Sequence, residues 1–155
     1  MVGAWLAINN LFLFLCTAMY LGTGWSLVLF SFPIAPKLRP DNYYDQFVPQ
    51  VTAATKFFTV MTVLMAVSAI LMIIGGPQGG QRLLGAVVLA AIVAATVLTV
   101  VAILPDNAKM AAGISTQAEL DTILRRWMAR NRIRVGLWTL QWAAVACWFG
   151  LEVTR

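Results

Sequence analysis

The sequence predicts an all-α fold: an integral membrane four-helix bundle in one domain spanning residues 1–155, with an extra cytoplasmic helix before the last span. Three observations carry this. Hydrophobic residues fill 61% of the chain and charged residues 11%, where an ordinary soluble domain carries about 25% charged. No charged side chain occurs between Met1 and Pro36. Four apolar stretches are each long enough to cross roughly 30 Å of hydrocarbon at about 1.5 Å per residue.

The first span, about 5–32, is long enough to tilt or project. It is too long, and lacks the basic start, for a cleaved signal peptide. Ala18, Gly22 and Ser26 recur at intervals of four and form a small-residue seam. The next stretch, "SFPIAPKLRPDNYYDQFVPQ", holds four prolines and cannot be one continuous helix. This places Tyr43, Tyr44 and Asp45 in a loop. The second span is expected at about 57–74, with room for an earlier start. "GGPQGGQR" reads as a tight turn, making spans two and three antiparallel neighbours.

The third span, about 83–104, offers Ala86, Ala90 and Ala94, with Ala91, Ala95 and Thr99 beside them. After Pro105 comes the longest connection. Its Thr116-x-x-Glu119 has the capping-box pattern, which predicts a helix from about Gln117 running towards or into the last span. That span, about 135–151, carries Thr139, Ala143 and Cys147. Small residues of this kind let helices approach closely in lipid, within one chain or between subunits.

Direction follows from charge. The loops between spans one and two, and three and four, hold Lys37, Arg39, Lys56, Lys109, Arg125, Arg126, Arg130, Arg132 and Arg134. The termini side holds only Arg82 and Arg155. By the positive-inside rule both termini lie on the non-cytoplasmic side, as in a bacterial inner membrane. The net charge of +5 is then a membrane-lipid signal and not a nucleic-acid one, because the cations border apolar segments.

The chain has no histidine. His-ligated haem, a His-based catalytic pair and a Glu/His di-iron site are thereby excluded. Cys16 and Cys147 both lie in apolar segments, outside any CxxC pair, and are expected to be buried. The sequence calls for no metal and no cofactor.

In "RRWMARNRIRVGLWTLQW", residues Trp127, Asn131, Arg134, Trp138 and Gln141 follow one another at intervals of four, three, four and three. On a helix they share one face. Arg125, Arg126, Arg130 and Arg132 lie mostly off it and are expected to be solvated or lipid-facing anchors. Gln141 is expected to hydrogen-bond another helix. Arg134 is either a binding cation or the ion-pair partner of Asp106. Lys56 and Asn107 reach the same membrane face and complete the candidate ligand-binding set of Trp127, Asn131, Arg134, Asn107 and Lys56. Lys56 alternatively snorkels to the interface. Asp106 and Tyr44 are the candidate catalytic bases. Towards the other face, Asn9, Asn10, Cys16 and Tyr20 interrupt the first span, and the Tyr20 hydroxyl needs an acceptor.

Some of these residues also carry a family likeness. "RRWMARNRIR" resembles the W-x-x-x-N-x-x-R element that starts the last helix of anthrone oxygenase-like membrane proteins, a large four-span family. "LPDNAKM" is similar to the family's Pro-then-Asn element closing the third helix. "GTGWSLVLFSFPIAPKL" is similar to its small-residue first helix ending in proline. The likeness implies a small helical membrane bundle, some of whose members oxidise an anthrone to an anthraquinone without metal or flavin. Trp127, Asn131, Arg134 and Asn107 are the matching positions. Many members carry a histidine near the last-helix motif; this chain carries none.

Two functions compete. One is binding of a lipophilic aromatic or quinone-like ligand, extending to cofactor-free oxidation or cyclisation. A base would deprotonate the ligand, and Arg134 with Asn131 would hold the enolate. The other is a non-catalytic accessory or assembly subunit, contacting partner helices of a homo-oligomer or a larger membrane complex. A transporter is a weaker reading, since no span shows a row of ionisable groups or a midplane Gly/Pro break.

Overall fold

Every element among the described residues, 3–76 and 79–153 of a computed structural model, is helical. Helix α1 (Ala4–Ser26) continues through a wide π turn at Leu27–Ser31. A single 3-10 turn at Ala35–Lys37 leads to α2 (Tyr43–Gly75). Helix α3 (Gly80–Leu98) passes through a second π turn, Thr99–Ile103, into α4 (Leu104–Ala112). Helix α5 (Gln117–Val153) closes the chain.

Three helical segments, Ala4–Ser31, Tyr43–Gly75 and Gly80–Ala112, are long and apolar enough to cross a membrane. Helix α5 is not among them. Its first half carries Arg125 to Arg134, and its second half still contains Gln141 and Glu152. It nevertheless packs along α1 and α3, and both of these pack on α2, so the four long helices close a ring. One core, including Leu13, Met65, Val88, Val145 and Trp148, fills the ring towards the α2–α3 turn. A second, around Tyr43, Ile103, Met110, Leu120 and Trp127, fills the opposite end. Large apolar side chains cover the flanks, among them Ile8, Phe30, Val60, Ile74, Leu83 and Val101, all exposed. Such a surface suits lipid contact and is unusual in a water-soluble domain.

Close approaches fix the ring. A Cβ on Gly24 of α1 would stand 2.8 Å from Trp138 and 2.9 Å from Val135 of α5. One on Gly85 of α3 would stand 2.9 Å from the Ile73 side chain of α2. Arg82 Nε donates to the Gly76 carbonyl at 2.9 Å and closes the end of α2. Helices α2 and α3 are neighbours as expected, although residues 77 and 78 of the turn, like Arg155, lie outside the described residues.

The structure corrects several expectations. Helix α2 begins at Tyr43 and not near residue 57, and it contains Pro49. Tyr43, Tyr44 and Asp45 therefore form its first turn instead of a loop. A proline in the second turn removes only one hydrogen bond, close to the end where the first N–H donors already lack helical partners. The third segment does not stop at Pro105. The π turn before it re-registers the backbone, and Pro105 enters α4 at a first-turn position, where no N–H is needed. Of the two courses left open for the helix from about Gln117, it takes the second and runs into the last helix, giving one unbroken α5 of 37 residues. Its start is as expected: the Glu119 N–H reaches the Thr116 hydroxyl at 3.4 Å.

The small-residue seams divide: Ser26 lines the inner cavity, while Gly22 and the Ala86, Ala90 and Ala94 row turn outward. A Cβ on Gly22 would meet nothing within 4 Å, and Ser26, Ala86, Ala90 and Ala94 are exposed. Inside the ring, Ala91 and Ala95 of the expected α3 set are buried, and on α1 the close approach is made by Gly24. Cys16 is buried, whereas Cys147 is exposed.

Candidate ligand cavity

The ring of helices leaves a cavity of about 590 Å³, lined by all four long helices and open to the surface. Helix α5 supplies Trp127, Arg134, Trp138 and Gln141 to one wall. The 14 helical steps from Trp127 to Gln141 make that wall about 21 Å long. Met65, Ile92 and Gln141 surround the deep end. Tyr20, Phe58, Trp138 and Arg134 form the waist. Phe32, Phe47, Asn107 and Trp127 surround the end nearest the connecting loops.

Threonines from α2 and α3 line the opposite wall, but their hydroxyl protons are already committed. Thr55, Thr59 and Thr62 donate to carbonyls of their own helix at 2.8, 2.7 and 2.8 Å. Thr96 and Thr99 do the same at 2.8 and 2.7 Å. Such back-bonding leaves these residues as methyl and lone-pair surface, with no hydroxyl proton to offer.

The α5 wall differs. The Arg134 guanidinium lies over the Trp138 ring, 4.6 Å from its centroid. Its Nε is buried without a partner, as is the Oε1 of Gln141. The interhelical hydrogen bond expected of Gln141 is thus not made by that oxygen. Tyr20 crosses from α1 with its ring edge on Trp138, centroids 4.9 Å apart. The Tyr20 hydroxyl lies 2.8 Å from both the Phe58 carbonyl and the Thr62 hydroxyl. Arg134 as a whole is only partly buried, and a cation without an ion-pair partner in so apolar a surround is costly unless something neutralises it.

Asp106 is not the partner of Arg134. It is buried and takes two other arginines, Arg126 and Arg130, the latter at 2.5 Å. Arg130 Nη1 also donates to the Ala102 carbonyl at 2.8 Å, within the π turn. The hydrogen bond from Arg126 to Asp106, reinforced by the opposite charge, holds the Arg126 proton more firmly than in a free arginine. These two arginines, read from the sequence as solvated anchors, thus fasten α4 to α5. Their spacing of four put them on one face of α5; what the sequence did not reveal was that Asp106 would face it. Arg132 remains at the surface, its guanidinium 5.4 Å from the centroid of Phe32.

The other expected site residues divide. Trp127 and Asn107 line the cavity and bond to each other, Trp127 Nε1 donating to Asn107 Oδ1 at 2.8 Å. Asn131 lies on the same α5 face and is fully buried, but it is not part of the lining. Its Nδ2 donates to the Trp127 carbonyl of its own helix at 2.8 Å, and its Oδ1 has no partner. Lys56 is outside, on a shallower groove between α2 and α4. Of the two candidate bases, Asp106 is enclosed by its arginines and Tyr44 is exposed at the start of α2; neither lines the cavity.

Two features were missed. Tyr20 was assigned to the opposite face yet helps form the waist. The sequence held no signal for this: Tyr20 shares a face with Gly24, one helical turn on, but that this face meets Trp138 and Val135 depends on the placement of α5. Tyr43 is a buried fastener. Its hydroxyl donates to the Met110 carbonyl at 3.0 Å and accepts from the Ile114 N–H at 2.6 Å, holding the turn between α4 and α5. Compared with protein-family models, with curated proteins and with solved structures, the chain matches none.

Proposed function

We propose that the chain is a four-span protein of a bacterial inner membrane, with both termini on the non-cytoplasmic side, whose cavity binds a lipophilic aromatic or quinone-like ligand. The cation asymmetry of the sequence supports the orientation. The packing of α5 beside three apolar helices supports a fourth crossing. The observation that carries the binding reading is Arg134, an unpaired cation stacked on Trp138 inside an aromatic-walled space of about 590 Å³. That volume falls in the range of small-molecule sites. Aromatic walls favour a flat ring, and a lone cation favours an oxygen that carries negative charge. Binding is the part of the reading that the geometry supports. The base that cofactor-free oxidation would require, Asp106 or Tyr44, stands outside the lining.

The test is retention. Protein extracted gently into lipid nanodiscs is stripped with solvent and the extract analysed by mass spectrometry. Wild type and Arg130→Gln, normalised to folded protein, are expected to retain the same aromatic molecule, and Arg134→Gln to lose it. Equal behaviour of the two variants defeats the proposal.

A second reading, an accessory subunit, is favoured by the outward small-residue faces. Gly22 on α1 and Ala86, Ala90 and Ala94 on α3 offer close-approach surfaces unused within the chain. Its test is the mass of the complex in mild detergent, with bulky replacements at Gly22 and Ala90 expected to reduce it.

A further inference from the structure

The shallower groove, about 320 Å³, lies on the outside of the bundle between α2 and α4, with Lys56 in its lining. Five residues line this groove and the inner cavity alike: Phe47, Val51, Thr55, Leu104 and Asn107. One layer of side chains therefore separates an exposed lysine from the space that contains Arg134. This is also where the α3–α4 segment departs from regular α geometry and where α2 carries a proline. Helix α2 carries Pro49, and the α3–α4 segment carries the π turn Thr99–Ile103 followed by Pro105. Prolines and π turns are the ordinary causes of local helix bending, and π turns gather at functional sites. Val51 and Leu104, which line both concavities, are each only partly buried.

We propose that this seam, rather than the cavity's existing opening to the surface, is the entry port through which a lipophilic ring anion, an ionised enol or phenol, passes from the membrane to Arg134. The inference rests on the cavity being a ligand site and adds the charge of the ligand and its route. The argument is electrostatic and steric. Two cations without a carboxylate partner among the described residues, Lys56 outside and Arg134 inside, stand on either side of a thin wall. An anion leaving the interface meets Lys56 first, and long-range attraction of this kind raises association rates. The second cation then holds the charge, because an unpaired guanidinium in apolar surroundings gains most from an anion. The threonine wall offers no hydroxyl proton to compete for it. Aromatic side chains at the waist suit a ring whose charge is delocalised and so easier to dehydrate than a carboxylate.

The probe is a 2-hydroxy-3-alkyl-1,4-naphthoquinone, an enol ionised at neutral pH, against its uncharged 2-methoxy ether. Binding to nanodisc-embedded protein is followed by stopped-flow quenching of tryptophan fluorescence. Wild type is expected to bind the anion at least tenfold tighter than the ether, and Arg134→Gln to bind the two alike. Lys56→Gln is expected to slow association about threefold and leave dissociation unchanged. The route is tested by a reversible plug. In a Cys147→Ser background, Thr52→Cys at the outer groove is labelled with a bulky methanethiosulfonate. Association and dissociation are expected to slow together at least fivefold, affinity to hold, and reductant to restore both rates. Equal affinity of wild type for anion and ether overturns the charge selection, and unchanged rates after plugging overturn the route; both outcomes leave the ligand-site reading standing. Binding of neither probe overturns the ligand-site reading and this inference with it.

Discussion

Arg134 lies 4.6 Å from the centroid of the Trp138 ring and, among the described residues, pairs with no carboxylate. Neighbouring arginines on the same helix do pair, both with Asp106. One turn of α5 thus separates a guanidinium that holds the fold from one that the fold leaves unsatisfied.

That contrast makes a prediction with an unusual sign. A partly buried charge without an ion-pair partner destabilises the protein that contains it. Arg134→Met is expected to stabilise the ligand-free protein by about 1–2 kcal/mol, seen as a higher thermal midpoint in detergent, as replacement of buried ions by apolar groups often does. The same substitution is expected to lower ligand retention at least tenfold, about 1.4 kcal/mol of binding. A fall in the midpoint would mean that Arg134 serves the fold.

Asp106→Asn should act in the opposite direction. It removes the charge on which Arg126 and Arg130 converge, and charge-assisted hydrogen bonds contribute about 1.5–3 kcal/mol each. A loss of about 2–3 kcal/mol is expected, larger than for Arg126→Gln or Arg130→Gln alone, since each of those leaves one pair intact. Thermal midpoints of the three variants in one detergent give the ranking.

Tyr43→Phe removes one hydroxyl and leaves the Ile114 N–H and Met110 carbonyl without it. A buried group stripped of its partner costs about 1–3 kcal/mol. The cost should be local: limited proteolysis is expected to cut faster near Gly113, where φ is +95°, than elsewhere in the chain.

The two glycines of α1 provide a matched pair. Gly24→Val would drive a branched side chain into Trp138 and Val135 and is expected to cost about 1–3 kcal/mol, as overpacked sites do. Gly22→Ala meets open space and is expected to be neutral or to stabilise by up to about 1 kcal/mol, through helix propensity. Equal effects would place α1 in a different rotation.

Long-range charge asymmetry and apolar length are properties of composition, and they made the helical, membrane-suited character of the chain legible. Periodicity did the same for the α5 face: Trp127, Arg134, Trp138 and Gln141 were grouped by spacing alone and line one wall. What failed was local punctuation. Pro49 and Pro105 read as breaks, yet helix continues through both sites, because the lost bonds fall near helix ends and a π turn takes up the strain. The seams failed for a related reason. Gly22 and Gly24 are equally small, and only the position of Trp138 on another helix decides which one faces inward. Asp106 failed because choosing among five nearby arginines requires the rotation of α4 about its own axis, which no pattern within α4 encodes.

Helix α5 has one further consequence. Its 37 uninterrupted residues make a rod of about 55 Å, and no proline or wide turn divides the arginine-rich portion from the cavity wall. A push at one end therefore cannot be absorbed midway. The Asp106 clasp at Arg126 and Arg130 and the cavity-lining Arg134 thus ride on one continuous rod, within a few turns of each other.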